Sequence, residues 1–154
     1  MYKILMVCHG NICRSPMAEF VLRDMLKKRG IEGVEVASAA TSTEELGNGV
    51  HRGTREVLHR LGIDCSFKKA RQMTTADYTK YDLLLGADSR NFINMNRIAG
   101  SDPEGKIRRL MDFTTRPRDI SDPWYTGDFE ATYADVKEGC EALIEYLYEQ
   151  GIIS

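Results

Sequence analysis

An apolar run at the N-terminus, Tyr2 to Val7 (YKILMV), passes without a break into CHGNICRSP. The run reads as a buried strand, and the glycine and asparagine that follow read as a turn. Ser15 then stands as a helix N-cap, with Pro16 at the first helical position, where a missing N–H costs nothing.

The rest of the chain repeats this alternation. Met17, Val21 and Met25, beside Ala18, Leu22 and Leu26, form two adjacent i, i+4 rows, and Gly30 ends that helix. Val34 to Ala37 reads as a second strand. A helix through Glu56, Leu58 and Leu61 closes at Gly62. Tyr81 to Gly86 (YDLLLG) reads as a third buried strand, Asp88 as the cap of a helix toward Gly100, and Ile107 to Met111 as a fourth strand. Phe129, Tyr133, Val136, Cys140, Leu143 and Leu147 make one apolar stripe on a final helix. The pattern is that of an α/β domain with a parallel sheet and helices on both faces. Ligands of such sheets bind beyond the carboxyl ends of the strands, which is where Cys8 falls.

A length of 154 residues suits one domain, residues 1–154. The formal net charge of −2 gives no basic field for nucleic acid and disfavours anionic membranes. No export signal or membrane span is expected. The four cysteines, Cys8, Cys13, Cys65 and Cys140, are therefore expected to be reduced thiols of a cytoplasmic protein; secretion without a leader stays open. No metal site is expected, because no CxxC occurs and His9, His51 and His59 have no ligand spacing.

Residues 8 to 16 are more than a turn. Gly10 and Asn11 can take the conformations that aim successive amides inward as an anion nest, and a helix N-terminus adds partial positive charge. Arg14 adds a planar fork for two oxygens of a phosphate. The loop is not a nucleotide P-loop, since GxxxxGK[ST] is missing. A thiol in such surroundings is held as a thiolate where bound phosphorus would lie, with Ser15 placed to donate to it. A cysteine that ends a buried strand is ordinarily a small core residue; here the neighbouring GN, Arg14 and SP point to a nucleophile. Displacing an oxygen leaving group also needs an acid. Residues 112 to 127, DFTTRPRDISDPWYTG, lack periodicity and form a long loop of the kind that carries function. Asp122, stiffened by Pro123 and followed by Trp124 and Tyr125, is its candidate acid.

Together, VCHGNICRSP, ASAATS at 37 to 42, ARQ at 70 to 72 and DPWY at 122 to 125 resemble the low-molecular-weight protein tyrosine phosphatases, in family order and across nearly the whole chain. The resemblance is to the bacterial type. It implies a single-domain, Rossmann-like (doubly wound) four-stranded parallel sheet, and metal-independent hydrolysis of phosphotyrosine through a cysteinyl-phosphate, without a cofactor. Cys8 is implied as nucleophile, Asp122 as general acid and then base. Arg14 and the amides of His9, Gly10, Asn11, Ile12 and Cys13 are implied to hold the phosphoryl oxygens. Asn11 and Ser38 keep the loop in shape, Ser15 steadies the sulfur, and Asp88 supports the loop. Cys13 resembles the family's second loop cysteine, which forms a disulfide with the nucleophile under oxidation. Trp124, Tyr125 and Glu44 are the expected pocket walls. Implied partners are phosphotyrosine proteins, with a bacterial tyrosine kinase as a candidate, and phosphate and other oxyanions as inhibitors. A monomer or weak dimer is expected.

Three positions depart from the family pattern. Lys68 replaces a frequent histidine, which puts one loop-supporting contact in question. Glu44 replaces a frequent aromatic, which leaves one side of the pocket open or acidic. Thr126 separates Tyr125 from Gly127, which bears on the shape of the acid loop. The alternatives are an arsenate reductase on the same fold, which would need two further cysteines on a mobile segment, and a non-catalytic phosphate-binding module. His51 and His59 read as surface or half-buried helix positions.

Overall fold

β1 (Tyr2–Cys8) lies inside the sheet, and the other elements are arranged around it. The computed structural model describes residues 1–154. After β1 come α1 (Arg14–Lys28), β2 (Val34–Ala40), α2 (Arg52–Arg60), α3 (Thr75–Lys80), β3 (Leu83–Gly86), α4 (Ser89–Ala99) and β4 (Ile107–Arg109). A 3-10 turn (Leu110–Phe113), α5 (Pro123–Thr126) and α6 (Phe129–Glu149) complete the chain. The four strands are all parallel, in the order β2-β1-β3-β4. The chain leaves β1 for one edge and returns to build the other side, so the strand order reverses beside β1, and the crevice at its carboxyl end is the expected ligand position.

Strand geometry explains the unbroken apolar run. Ile4, Met6 and Cys8 face one core with α1 and α6, while Leu5 and Val7 face a second core with Tyr78 of α3 and Met95 of α4. A strand covered on both faces has no polar side to show. The stripe on α6 is buried as its spacing requires: Val136, Cys140, Leu143 and Leu147 are all fully buried.

Several local details differ from the sequence reading. The N-cap of α1 is Cys13, not Ser15, and no side chain caps it. Ser15 lies within the first turn because its hydroxyl is committed to Cys8. β2 continues to Ala40, since Ala40 pairs with Cys8 and its N–H is taken by the Arg71 carbonyl. α3 has no counterpart in the sequence reading. Its start is fixed by Asp77, which accepts from the Thr74 N–H and pairs with Arg71. Tyr81 ends α3 rather than opening β3. β4 stops at Arg109, and the buried Leu110 and Met111 belong to the 3-10 turn.

Candidate active site

The loop from Cys8 to Arg14 is pulled outward by its carbonyls. The Cys8 carbonyl accepts from Thr41 N–H, His9 from Ser42 N–H and Oγ, Ile12 from His51 N–H, and Cys13 from Thr54 Oγ. Meanwhile the amides of His9, Gly10, Asn11, Ile12, Cys13 and Arg14 donate to no protein acceptor. That is the arrangement an anion nest requires. Asn11 has the one positive φ among the non-glycine residues, 58°. Gly10 stays out of the left-handed region, a correction to the expectation that both residues would take such turns.

Asn11 is buried and uses its amide fully. Nδ2 donates to Ser15 Oγ at 2.8 Å and to Ser38 Oγ at 2.9 Å, while Oδ1 accepts from Arg71 N–H at 3.2 Å. Because Ser15 Oγ accepts from Asn11, its own proton is free for Cys8 Sγ, 3.0 Å away, with the Ala39 carbonyl a more distant acceptor at 3.5 Å. The Ser15 N–H also points at the sulfur, at 3.4 Å. By the same logic Ser38 gives its proton to Glu19 Oε1. Lys68 backs this chain: Nζ donates to the Ser38 carbonyl at 2.9 Å and lies 3.8 Å from Glu19 Oε1. Lys68, the position of the histidine-to-lysine departure, therefore does support the loop, through Ser38 and Glu19. Burial holds the Lys68 ammonium below its ordinary pKa, and Glu19 opposes that shift.

Arg14 is only 3% exposed. Nη1 donates to Asp88 Oδ2 and to the Ile120 carbonyl, both at 2.7 Å. Nη1 is therefore spent on the protein, and Nη2 lies 3.5 Å from Asp122 Oδ2. Burial works against the guanidinium charge, but Cys8 and then Asp88 outweigh it and raise the pKa above its ordinary value. Asp88 serves twice, since its Oδ1 also caps α4 by accepting from Asn91 N–H. Cys13 is buried in the loop. Its thiol is pushed up to about 12, first by burial and then by the neighbouring Cys8 and Asp122.

Asp122 caps the single turn of α5, with Oδ1 accepting from Trp124 N–H at 3.1 Å. Thr126 completes that turn and Gly127, at φ 72°, ends it. Cys8, Arg14 and Asp122 line one pocket of about 110 Å³ together with Ile12, Trp124 and Tyr125. Glu44 and Glu45 also line it, so the side expected to be open or acidic carries two carboxylates, and Glu44 pairs with His9 Nε2 at 2.8 Å. Tyr125 is 84% exposed and stands at the rim rather than walling a closed slot.

A thiol, a nest of unpaired amides with an arginine, and a carboxylate at one strand end narrow the family sharply. The model of the low molecular weight phosphotyrosine protein phosphatase family matches residues 3–152. The chain belongs to that family. Among relatives, the low molecular weight protein-tyrosine-phosphatase YfkJ of Bacillus subtilis is 38% identical over 153 residues, covering 97% of this chain and 98% of the relative. The phosphatase PtpA of Staphylococcus haemolyticus is 35% identical, covering 96% and 94%. The crystal structure of YfkJ superposes with a TM-score of 0.92 over 97% of this chain and 96% of that one. The phosphatase SP-PTP of Streptococcus pyogenes, 36% identical, gives 0.82 over 97% and 93%.

Every site residue named from the sequence lies in or directly behind this pocket. Cys65 and Cys140 do not: Cys140 is in the α6 core and Cys65 follows α2, so the cysteine relay of a reductase has no counterpart at the phosphatase loop. Sequence reasoning missed Glu19, Glu45, Arg71, Thr54 and the placing of His51. Glu19 carried a signal, being four residues beyond Ser15 and so on the same helix row.

Proposed function

We propose that this chain hydrolyses phosphotyrosine in proteins, and small aryl phosphates, through a cysteinyl-phosphate on Cys8. The observation that carries this reading is the direction of the hydrogen-bond chain. Asn11 donates to both Ser38 and Ser15, Ser38 donates on to Glu19, and Ser15 Oγ lies 3.0 Å from Cys8 Sγ as its nearest remaining partner, beside six amides with no other acceptor.

Substrate phosphate enters the nest with its oxygens on the amides of residues 9–14 and the fork of Arg14. The Cys8 thiolate attacks phosphorus in line, and Asp122 protonates the departing tyrosyl oxygen. Asp122, now a carboxylate, takes a proton from water, which attacks the cysteinyl-phosphate and releases phosphate. Ser15 then stabilises the leaving thiolate. The amides and Arg14 meet the equatorial charge of both transition states, so positioning and preorganised electrostatics do the work. Ile12, Trp124 and Tyr125 line the pocket with Cys8 and offer apolar contact to an aryl ring, which a phosphoserine lacks.

Residues 1–154 act as one catalytic unit in this reading. Phosphotyrosine proteins are its partners, a bacterial tyrosine kinase among the candidates, and phosphate and related oxyanions compete at the nest. No helix is long and apolar enough to cross a membrane; a cytoplasmic setting, a monomer or weak dimer, and oxidation of Cys8 to a disulfide with Cys13 complete the proposal.

The test is phosphotyrosine-peptide turnover in EDTA, followed by rapid quenching and peptide mapping. Turnover with the phosphoryl group on Cys8 is the expected result. Arsenate reduction with added thiol, in place of ester hydrolysis, would overturn it.

A further inference from the structure

His51 takes no part in the mechanism above, yet it touches both halves of the site. Its backbone N–H donates to the Ile12 carbonyl at 2.8 Å, on the outer side of the phosphate loop. Its ring Nδ1 caps α2 by accepting from Gly53 N–H at 3.0 Å, which puts the ring proton on Nε2. The ring face stacks on Phe129, centroids 5.0 Å apart and planes 16° apart. The Trp124 ring meets it edge-to-face at 5.6 Å and 79°. Gly53 permits this arrangement, because a Cβ there would overlap the Phe129 ring.

Trp124 and Phe129 flank the end of the acid loop. Trp124 N–H is also the donor held by Asp122 Oδ1. A path of direct contacts thus runs from the phosphate loop, through His51, to Trp124 and the carboxylate. We infer that His51 is a positioning residue that sets Asp122 over the leaving-group oxygen, its cap fixing the ring and its ring seating the acid loop. The inference rests on the phosphatase reading above.

The two roles of the side chain separate in two variants. His51→Asn keeps an N-cap acceptor and loses the ring; His51→Phe keeps a ring and loses the cap acceptor. The readout is kcat/KM for phenyl phosphate, whose leaving group needs the acid, against 2,4-dinitrophenyl phosphate, whose leaving group does not. Inhibition by inorganic phosphate reports on the nest.

His51→Asn is expected to lower phenyl phosphate hydrolysis by about 10-fold or more, since misplacement of roughly 1 Å costs up to about 100-fold. It should leave the dinitrophenyl ester and phosphate inhibition within about 2-fold, because neither draws on the acid. His51→Phe should recover most of the phenyl phosphate rate. Equal losses on both esters, weakened phosphate inhibition, or no loss at all would each overturn the inference. Should His51→Asn fail to fold, Phe129→Leu, which lies outside the pocket and removes the ring stacked on His51, must show the same leaving-group-selective loss; an equal loss on both esters sinks the inference. A wild-type protein that hydrolyses neither ester refutes the phosphatase reading itself, and this inference with it.

Discussion

The phosphate loop and the acid loop meet at one pocket but are held by unequal amounts of structure. Behind the phosphate loop, Asn11, Arg14, Ser15, Glu19 and Ser38 are each at most 3% exposed, and every one is hydrogen-bonded to another part of the site. In the acid loop Asp122 is about a quarter exposed, and Trp124 and Tyr125 are 57% and 84% exposed. The difference follows from what each must do. The nest faces the same charge in both chemical steps, so fixed dipoles serve throughout. The acid must meet different leaving groups and later a water, so it rests on a short turn and a few aromatic contacts.

The sharpest way to break this comparison is at the sulfur. Cys8→Ser should abolish turnover, by on the order of 10⁴-fold or more, because a serine hydroxyl in a nest built for a thiolate has no base to activate it. Binding of inorganic phosphate should survive, which isothermal titration can check. Loss of binding as well would mean that the sulfur holds the loop together rather than acting within it.

Asp122→Ala tests the other half. Turnover of phenyl phosphate should fall by about 10²- to 10⁴-fold, the usual worth of a positioned acid. Thermal stability should change little, since the carboxylate caps a single exposed turn. A large drop in Tm would show that the acid loop is as structurally committed as the nest.

Asn11→Ala should behave in the opposite way. It removes three hydrogen bonds, two of them buried, and asks alanine to hold φ near 58°. The cost should be about 2–4 kcal/mol in denaturant unfolding, with activity falling because Ser15 loses its orientation. A stable Asn11→Ala protein would mean that the loop is held by its outward carbonyls alone.

The two halves were not equally legible in the sequence. The nest could be read because its parts are contiguous: Cys8, Gly10, Asn11, Arg14 and Ser15 lie on one strand-to-helix loop. Asp122 could be found because proline and two aromatics mark a stretch without periodicity. Of the supports behind them, Ser38 was implied only by the family resemblance and Glu19 sits one helix turn past Ser15, while Lys68 and Arg71 come from far along the chain and only the fold brings them to Ser38 and Asn11. His51 looked like an ordinary helix position because its partners, Trp124 and Phe129, are more than seventy residues away in sequence. All four strands of the sheet were legible, with shifted ends, whereas α3 was not. Its six residues carry no apolar period, and its one signal, Thr74 followed by Asp77 at the capping-box spacing, is easily passed over.

Alkaline pH gives a milder test of the nest. Cys13 is held at about 12 in the folded protein, against about 8.5 for a free thiol. Below pH 8.5 both states keep the proton. Between there and 12 the unfolded chain loses it and the folded chain does not, so the folded state binds more protons and stability falls as pH rises. The slope from this group approaches about 1.4 kcal/mol per pH unit. Cys140, also raised by burial, acts in the same direction. Unfolding midpoints in urea should therefore decline from about pH 9, and Cys13→Ser should decline less steeply. An unchanged slope would place the Cys13 thiol in contact with water.

The smallest effect is expected at the rim. His9 and Glu44 pair at 2.8 Å, but both side chains are roughly half exposed or more. Such pairs contribute about 0.2–1 kcal/mol and weaken with salt. Glu44→Gln should leave phenyl phosphate hydrolysis and Tm nearly unchanged, because neither depends on charge outside the nest. A phosphotyrosine peptide with arginines beside the tyrosine should lose about 2- to 4-fold in kcat/KM at low ionic strength, and less at 0.5 M salt, as screening of an exposed carboxylate requires. The separation matters more than the size. If Glu44→Gln altered phenyl phosphate turnover as strongly as the basic peptide, the carboxylate would be acting on the chemistry through His9, whose carbonyl is part of the nest's outer scaffold. The division between a fixed floor and an adjustable rim would then run inside His9 rather than around it.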